Sequence, residues 1–264
     1  PALAYSYAAM ALAAAITGRK QFGDFYLDRA DETLATTKDQ GRVQVRGMAV
    51  HAASVARIGF GYLHKARENA EEALAIFDKI GDQRRWNEAI ANVALITNLN
   101  GDLRESVELR QRLLEAAHRS GMRRGELWGL AGLGQLALQM GELEAAEAHF
   151  IQRYDLIQII AADDHTYVSS PYLALTYYRQ GELDKAREQT RLAIDEIAPL
   201  GFTQIHDVWS YFNTLEVAIG LWHRDASAEF KTIADQAMDH TRNFTKIYPV
   251  MAATLMTWEG VFLW

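Results

Sequence analysis

Scattered histidines, two acidic–histidine clusters and one glycine run are the residues of this chain whose type and spacing invite a chemical reading. The eight histidines (His51, His64, His118, His149, His165, His206, His223 and His240) contain no pair four residues apart and no His-Glu-x-x-His motif. A helix-borne zinc site needs two imidazoles on one face, so none is expected. Asp163-Asp164-His165 has the composition of a metal cluster. It falls where a hairpin turn has to cap the next helix, and short acidic side chains accept backbone N–H bonds at such ends. His206-Asp207 reads the same way. Gly129-Leu-Ala-Gly132-Leu-Gly134 suggests a dinucleotide-binding loop. That chemistry requires a strand before the glycines and a helix opening at them. Here the glycines lie inside a predicted helix, where they permit close packing. The phosphate loop Gly-x-x-x-x-Gly-Lys-Ser/Thr is absent. Cysteine is absent too, which removes disulfides, thiolate-bound zinc and thiol nucleophiles. The residues therefore predict no catalysis, no cofactor and no metal.

Charge narrows the partners. Lys+Arg number 27 against 34 Asp+Glu, a net charge of −7. Such a chain binds nucleic acid and anionic lipid poorly. Arg84-Arg85 and Arg123-Arg124 follow turns and read as solvated helix starts, at most a local contact for an acidic partner. The longest weakly polar stretch, Ala2 to Thr17, is alanine-rich and too short for a membrane span, so it reads as a packed helix. No secretory leader pattern is seen, and a cytoplasmic protein is expected. The expected partner is a protein or peptide, with neither nucleic acid nor membrane involved. Residue 1 is proline and the last residues, Gly260 to Trp264, are strongly apolar. This predicts a piece of a longer polypeptide, with self-association possible through uncapped ends.

The elements that would position any site follow from a period. Gly61, Gly101, Gly141 and Gly181 are 40 residues apart, and Gly41, Gly81, Gly121 and Gly201 lie on a second lattice offset by 20, with Ala161 in the gap. Each repeat is then two segments of nearly equal length, each closed by a glycine. The first lattice opens Gly61-Tyr-Leu-His-Lys-Ala66, Gly101-Asp-Leu-Arg-Glu-Ser106, Gly141-Glu-Leu-Glu-Ala-Ala146 and Gly181-Glu-Leu-Asp-Lys-Ala186. A fifth copy, Leu221 to Ala226, keeps the alanine and shifts the glycine back to Gly220, while the first copy, around Gln21 to Tyr26, has decayed. Glycine accepts the left-handed conformation that ends a helix, and the acidic residue after it favours the next helix's N-terminus. The small residue at the motif's end lets two backbones approach.

Apolar residues recur at helical spacing throughout, as in Leu103, Val107, Leu113, Leu114 and Ala117. No strand is predicted. First helices are predicted near 3–17, 44–59, 83–99, 123–139, 164–179, 203–220 and 243–264, and second helices near 24–39, 63–80, 103–120, 143–160, 183–198 and 223–240. Only four prolines interrupt them. At Pro171 the helix either kinks or starts late with Ser169 or Ser170 as its cap.

These motifs resemble the tetratricopeptide repeat family, above all in Gly-Glu-Leu-x-x-Ala at 141–146 and 181–186. Gly134 within its first helix, Tyr177 before Gly181, Phe150 and Phe230 in second helices, and Pro199 near a helix end add to the likeness. The period exceeds the roughly 34 residues usual in that family, and the family's first-helix tryptophan is not kept. The resemblance implies an all-α, right-handed superhelical solenoid over 1–264, with about six hairpins and one terminal helix. The best repeats span 44–240, residues 1–43 form a degenerate first repeat, and 243–264 form an unpaired helix. Forty-residue versions look like the sensor domains of bacterial signalling ATPases and cyclases, and like the peptide-receiving domains of quorum-sensing regulators. First helices line the concave face in this family. Carried over, its inward positions include Met48, Glu88 and Trp128 at one register and His51, Pro171 and Tyr211 at another. His51, Asn98, Trp128, Gln135, Tyr178, Tyr211 and Trp258 are the expected partner-binding set. Asn92, Asn98 and Arg179 alone approximate a carboxylate clamp, so the face is expected to be an apolar-aromatic groove. The implied function is a non-catalytic interaction scaffold, the regulatory module of a larger signalling protein. The alternative is a sensor of a small molecule such as a sugar, controlling an attached ATPase, cyclase or DNA-binding domain.

Overall fold

In the computed structural model the described residues are 1–36, 42–160, 168–198 and 205–263. Gly41, Ala161, Asp163-Asp164-His165, Pro199 and Gly201 lie outside them. The chain is all-α, an α-solenoid of helical hairpins, and no strand occurs among the described residues. The first helices of the hairpins are α1 (Ala2–Ile16), α3 (Val43–Phe60), α5 (Gln83–Leu99), α7 (Arg123–Met140), α9 (Ser170–Gln180) and α11 (Val208–Asp225). Their partners are α2 (Lys20–Thr36), α4 (Leu63–Ile80), α6 (Leu103–Ser120), α8 (Leu143–Ile160), α10 (Leu183–Ile197) and α12 (Ala228–Ile247), and α13 (Ala252–Leu263) follows.

The glycine lattice works through the backbone. Gly61, Gly81, Gly101, Gly121, Gly141 and Gly181 all have φ between +69° and +89°. Each donates its N–H to the carbonyl three residues back, and the next residue donates to the carbonyl five back, as in Gly61 to Ile58 (3.0 Å) and Tyr62 to Arg57 (2.9 Å). That pair of bonds satisfies carbonyls a helix end leaves open. Asp82 adds a side-chain cap, accepting from the backbone N–H of Arg85 at 3.2 Å. Ala66, Ser106, Ala146 and Ala186 are fully buried, which fits their role in close approach. Ser106 needs a partner for its hydroxyl and donates it to the Ala94 carbonyl at 2.9 Å.

Two compact units result: Pro1–Gly129 with Ile247–Val250, and Leu130–Lys246 with Met251–Trp264. In the first, alanines carry the packing of α1 on α2 and α3: Ala8, Ala11, Ala15, Ala30, Ala52, Ala53 and Ala56 form one core with Leu27 and Phe60. The buried Tyr248 ring lies against Gly59, where an added Cβ would come 3.0 Å from it. In the second unit, Phe150 fills the space over Gly134, where a Cβ would sit 2.4 Å from the ring. Burying a phenylalanine of this kind contributes about 2–3 kcal/mol. Arginine–carboxylate pairs 38 residues apart tie neighbouring hairpins within each unit: Arg67 of α4 to Glu105 of α6 in the first, and Arg187 and Arg191 of α10 to Asp225 at the end of α11 and to Glu229 of α12 in the second.

The last helix starts at Ala252 instead of near 243, because α12 begins at Ala228 and continues to Ile247 and a 3-10 turn at Pro249–Met251 follows, and three further places bear on the sequence expectation. The first turn comes early, at Gly18 (φ +68°), so α2 begins at Lys20. Of the two readings at Pro171 the late start holds: α9 begins at Ser170 with Ser169 at its N-cap, and Pro171 lies in the first turn, where its missing N–H costs nothing. Glu196 of α10 caps that end, its Oε2 accepting from the backbone N–H groups of Ser169 (3.2 Å) and Ser170 (3.1 Å). The third is α11, which runs through Gly220 to Asp225. Tyr178 packs against Gly220 so closely that a Cβ there would lie 2.3 Å from its hydroxyl oxygen. Gly220 is a packing residue, and Ala226 is no copy of the motif's small residue. With φ 50° and ψ 27° it takes the left-handed position that glycine fills elsewhere.

Candidate functional site

The face expected to bind a partner can be followed register by register along the first helices. In the first unit, Met48, His51 and Val55 of α3 are half-buried, and so are Glu88 and Asn98 of α5 and Trp128 of α7. Met48, Glu88 and Trp128 occupy one register at the 40-residue period. In a stacked repeat array such residues recur at the same height on successive first helices. Ile58 of α3 and Ala91 and Leu95 of α5 are buried.

His51 and Glu88 are the polar centre of this band. His51 Nε2 lies 3.9 Å from Glu88 Oε2, and Arg84 Nε lies 3.4 Å from Glu88 Oε1. The His51 ring meets Phe77 edge-on at 6.2 Å between centroids. Burial, with a smaller contribution from the Arg85 charge, pushes the His51 pKa down to about 4, so the imidazole is neutral at pH 7. Its Nδ1 is buried and meets no hydrogen-bond partner. Arg85 is itself engaged by Asp82 at 2.7 Å. Burial works against the Asp82 charge, but hydrogen bonds from the Arg85 side chain and backbone outweigh it and hold the carboxyl below its ordinary range. Trp128 is half-buried, and its backbone carbonyl accepts from the buried Arg110 at 3.3 Å.

In the second unit the corresponding registers are mostly filled by the chain itself. Gln135 of α7 is buried and accepts from Asn213 Nδ2 of α11 at 3.0 Å. Tyr211 is buried and stacked on Phe244, with centroids 4.6 Å apart. Val168, Leu175, Val208, Leu215 and Ala218 are buried as well. Arg179 spans the same face, donating to the Leu138 carbonyl (3.0 Å) and to Glu216 (2.9 Å). Tyr178 is half-buried over Gly220, and Trp258 is half-buried on α13. Of the expected set, then, Gln135 and Tyr211 serve internal packing, while His51, Asn98, Trp128, Tyr178 and Trp258 keep part of their surface.

Sequence reasoning missed Asn213, Glu216 and Glu196. Their partners lie 78, 37 and 26–27 residues away, and no repeat motif marks them. Glu88 was within the inward register but was outranked by the aromatics. The glycines of the supposed dinucleotide loop lie inside α7. A Cβ at Gly129 would come 3.0 Å from Leu114, so these glycines serve packing. Asp207 stands at the N-cap of α11 without a side-chain cap bond. Among the described residues no group of three His, Asp or Glu side chains could hold a metal ion, and no helix is long and apolar enough to cross a membrane.

No family model and no curated protein matches the chain. Among solved structures it is similar to RapI, in the crystal structure of its apo form, with a TM-score of 0.63 over 98% of this chain and 94% of RapI. Sequence identity is 13%, so this likeness establishes the shared helical-repeat fold and carries no ligand with it.

Proposed function

We propose that the chain is a non-catalytic, tetratricopeptide-like module that binds a peptide or protein, working in the cytoplasm as the regulatory part of a signalling protein. The observation that carries this reading is the half-buried band of the first unit. Met48, Glu88 and Trp128 stand at one register of three consecutive first helices, with His51 beside Glu88. Half-buried apolar and aromatic groups around a few polar ones suit an amphipathic segment, which gains from burying its apolar side and orients by its polar one. Asn98 belongs to the same face of this unit. In the second unit, Tyr178 and Trp258 are the proposed contact residues, whereas Gln135 and Tyr211 support the fold from within.

The test is selection of a displayed library of helical peptides on the whole chain. Enriched peptides should bind at least about tenfold more weakly to a Glu88→Ala, Trp128→Ala variant whose circular dichroism and melting are unchanged. Enrichment that ignores both substitutions contradicts the assignment. A second reading rests on the half-buried Trp128, an aromatic ring of the kind on which a sugar stacks. A thermal-shift screen against sugars separates the two, because only the sensor reading predicts a dose-dependent rise in Tm.

A further inference from the structure

The opening turns of α3, α5 and α7, all within the first unit, are rich in arginine. Residues 42–48, 82–88 and 122–128 hold six arginines against three carboxylates, in a chain whose net charge is −7. A helix dipole disfavours positive charge at an N-terminus, so helix formation does not account for them. Nor does the repeat, because residues 168–175 at the start of α9 include no charged side chain. Some of these arginines serve the fold: Arg85 bonds Asp82 at 2.7 Å, and Arg46 Nε donates to Glu72 of α4 at 2.7 Å. The Arg84 side chain is 74% exposed, and its Nε reaches Glu88 at 3.4 Å. Gln44 and Arg124 are exposed as well. Gln44, Arg84 and Arg124 share one register at the 40-residue period, four residues before Met48, Glu88 and Trp128. Four residues are about 6 Å of helix and little more than one turn, so the two rows lie on the same side of their helices. An exposed polar and basic row thus borders the half-buried one.

We infer that the segment received by this face is acidic along one edge: an amphipathic helix whose apolar side lies on Met48 and Trp128, and whose adjoining edge sets Asp or Glu side chains over Arg84 and Arg124. This rests on the binding face proposed above and names the chemistry of its occupant. Charge complementarity carries it. Guanidinium groups pair with carboxylates through two parallel hydrogen bonds, a geometry that acts on contact whatever the net charge of the chain. The Arg84–Glu88 pair is exposed and therefore weak, so a second carboxylate can share the guanidinium. Glu88 stands in the next row and repels acid there. Acidic groups are thereby confined to one edge of the segment, which fixes its register. The row reads side chains and requires no free C-terminus of the partner.

A displayed library of helical peptides, selected on the whole chain, tests it. The apolar side is held fixed and the adjoining edge draws on Glu, Gln and Lys. Glu should be enriched over Lys at that edge by at least about tenfold. Synthetic copies of the selected peptides, with amidated C-termini, should lose at least about tenfold in affinity between about 50 mM and about 500 mM sodium chloride. Arg84→Glu with Arg124→Glu should turn the preference to Lys, and Arg84→Gln with Arg124→Gln, which adds no repulsion, should abolish it. Binders that weaken with Trp128→Ala but show no preference for Glu, ignore salt, or keep preferring Glu against the charge-reversed variant overturn this inference and leave the binding face standing. A library without binders, or with binders indifferent to Trp128→Ala, overturns the binding face and this inference with it. The edge preference and the salt series use the unaltered chain, so the test stands even where a variant folds poorly.

Discussion

Ala226→Gly should stabilise the protein, although it removes a methyl group and touches no ligand. Ala226 is the one described non-glycine residue with positive φ, and it ends α11 as glycines end the earlier first helices. An L-residue held in that region costs about 1–2 kcal/mol. Glycine relieves this but adds about 0.4–1 kcal/mol of unfolded-chain freedom. The expected net gain is about 0.5–1 kcal/mol, or about 2 °C in Tm for a chain of this size. Gly181→Ala is the mirror experiment in the same unit. An added Cβ there meets nothing within 4 Å, so the change isolates the backbone at φ +80°, and a loss of about 1 kcal/mol is expected. Urea unfolding followed by tryptophan fluorescence reads both, with unchanged m-values showing that the surface exposed on unfolding is the same. An Ala226→Gly variant less stable than the parent, or a neutral Gly181→Ala, would refute the claim that left-handed residues punctuate the hairpins.

Other outcomes follow from single contacts. Gly134→Ala should destabilise by about 1–3 kcal/mol in urea melts despite the better helix propensity of alanine, because the new methyl meets Phe150 at 2.4 Å. Glu196→Ala should cost about 1–2 kcal/mol and speed amide exchange at the start of α9, since the backbone N–H groups of Ser169 and Ser170 lose their acceptor. His51 makes stability depend on acid. Its folded pKa of about 4 lies below the ordinary 6.5, so the folded state binds fewer protons between those values. Stability should be flat above about pH 6.5, fall by at most about 3 kcal/mol as pH drops towards 4, and level off below. His51→Gln should flatten that slope in calorimetry across the same range; an unchanged slope assigns it to other groups.

Local features of the fold were legible in the sequence because local chemistry causes them. The bounds 63–80, 103–120 and 143–160 coincide with α4, α6 and α8, each following a glycine whose left-handed turn involves only neighbouring residues. Where the glycine is misplaced, so is the expectation. Gly220 looked like a shifted stop, but Tyr178, 42 residues earlier, needs its missing side chain for packing, and the helix continues to Asp225. The candidate face was legible as a register but not as a surface. Nothing near Gln135 in sequence announces Asn213, and nothing near Tyr211 announces the stacking of Phe244. Contacts between non-adjacent helices decided which inward residues kept exposed area, and a repeat period carries no information about them.

Triple-resonance NMR of the whole chain in solution tests the central claim most directly. The account predicts Cα shifts and couplings of positive φ at Gly61, Gly81, Gly101, Gly121, Gly141, Gly181 and Ala226, each between two helical runs, with unbroken helix through Gly134 and Gly220. Helical shifts continuing through the lattice glycines, or a break at Gly220 in place of Ala226, would contradict it.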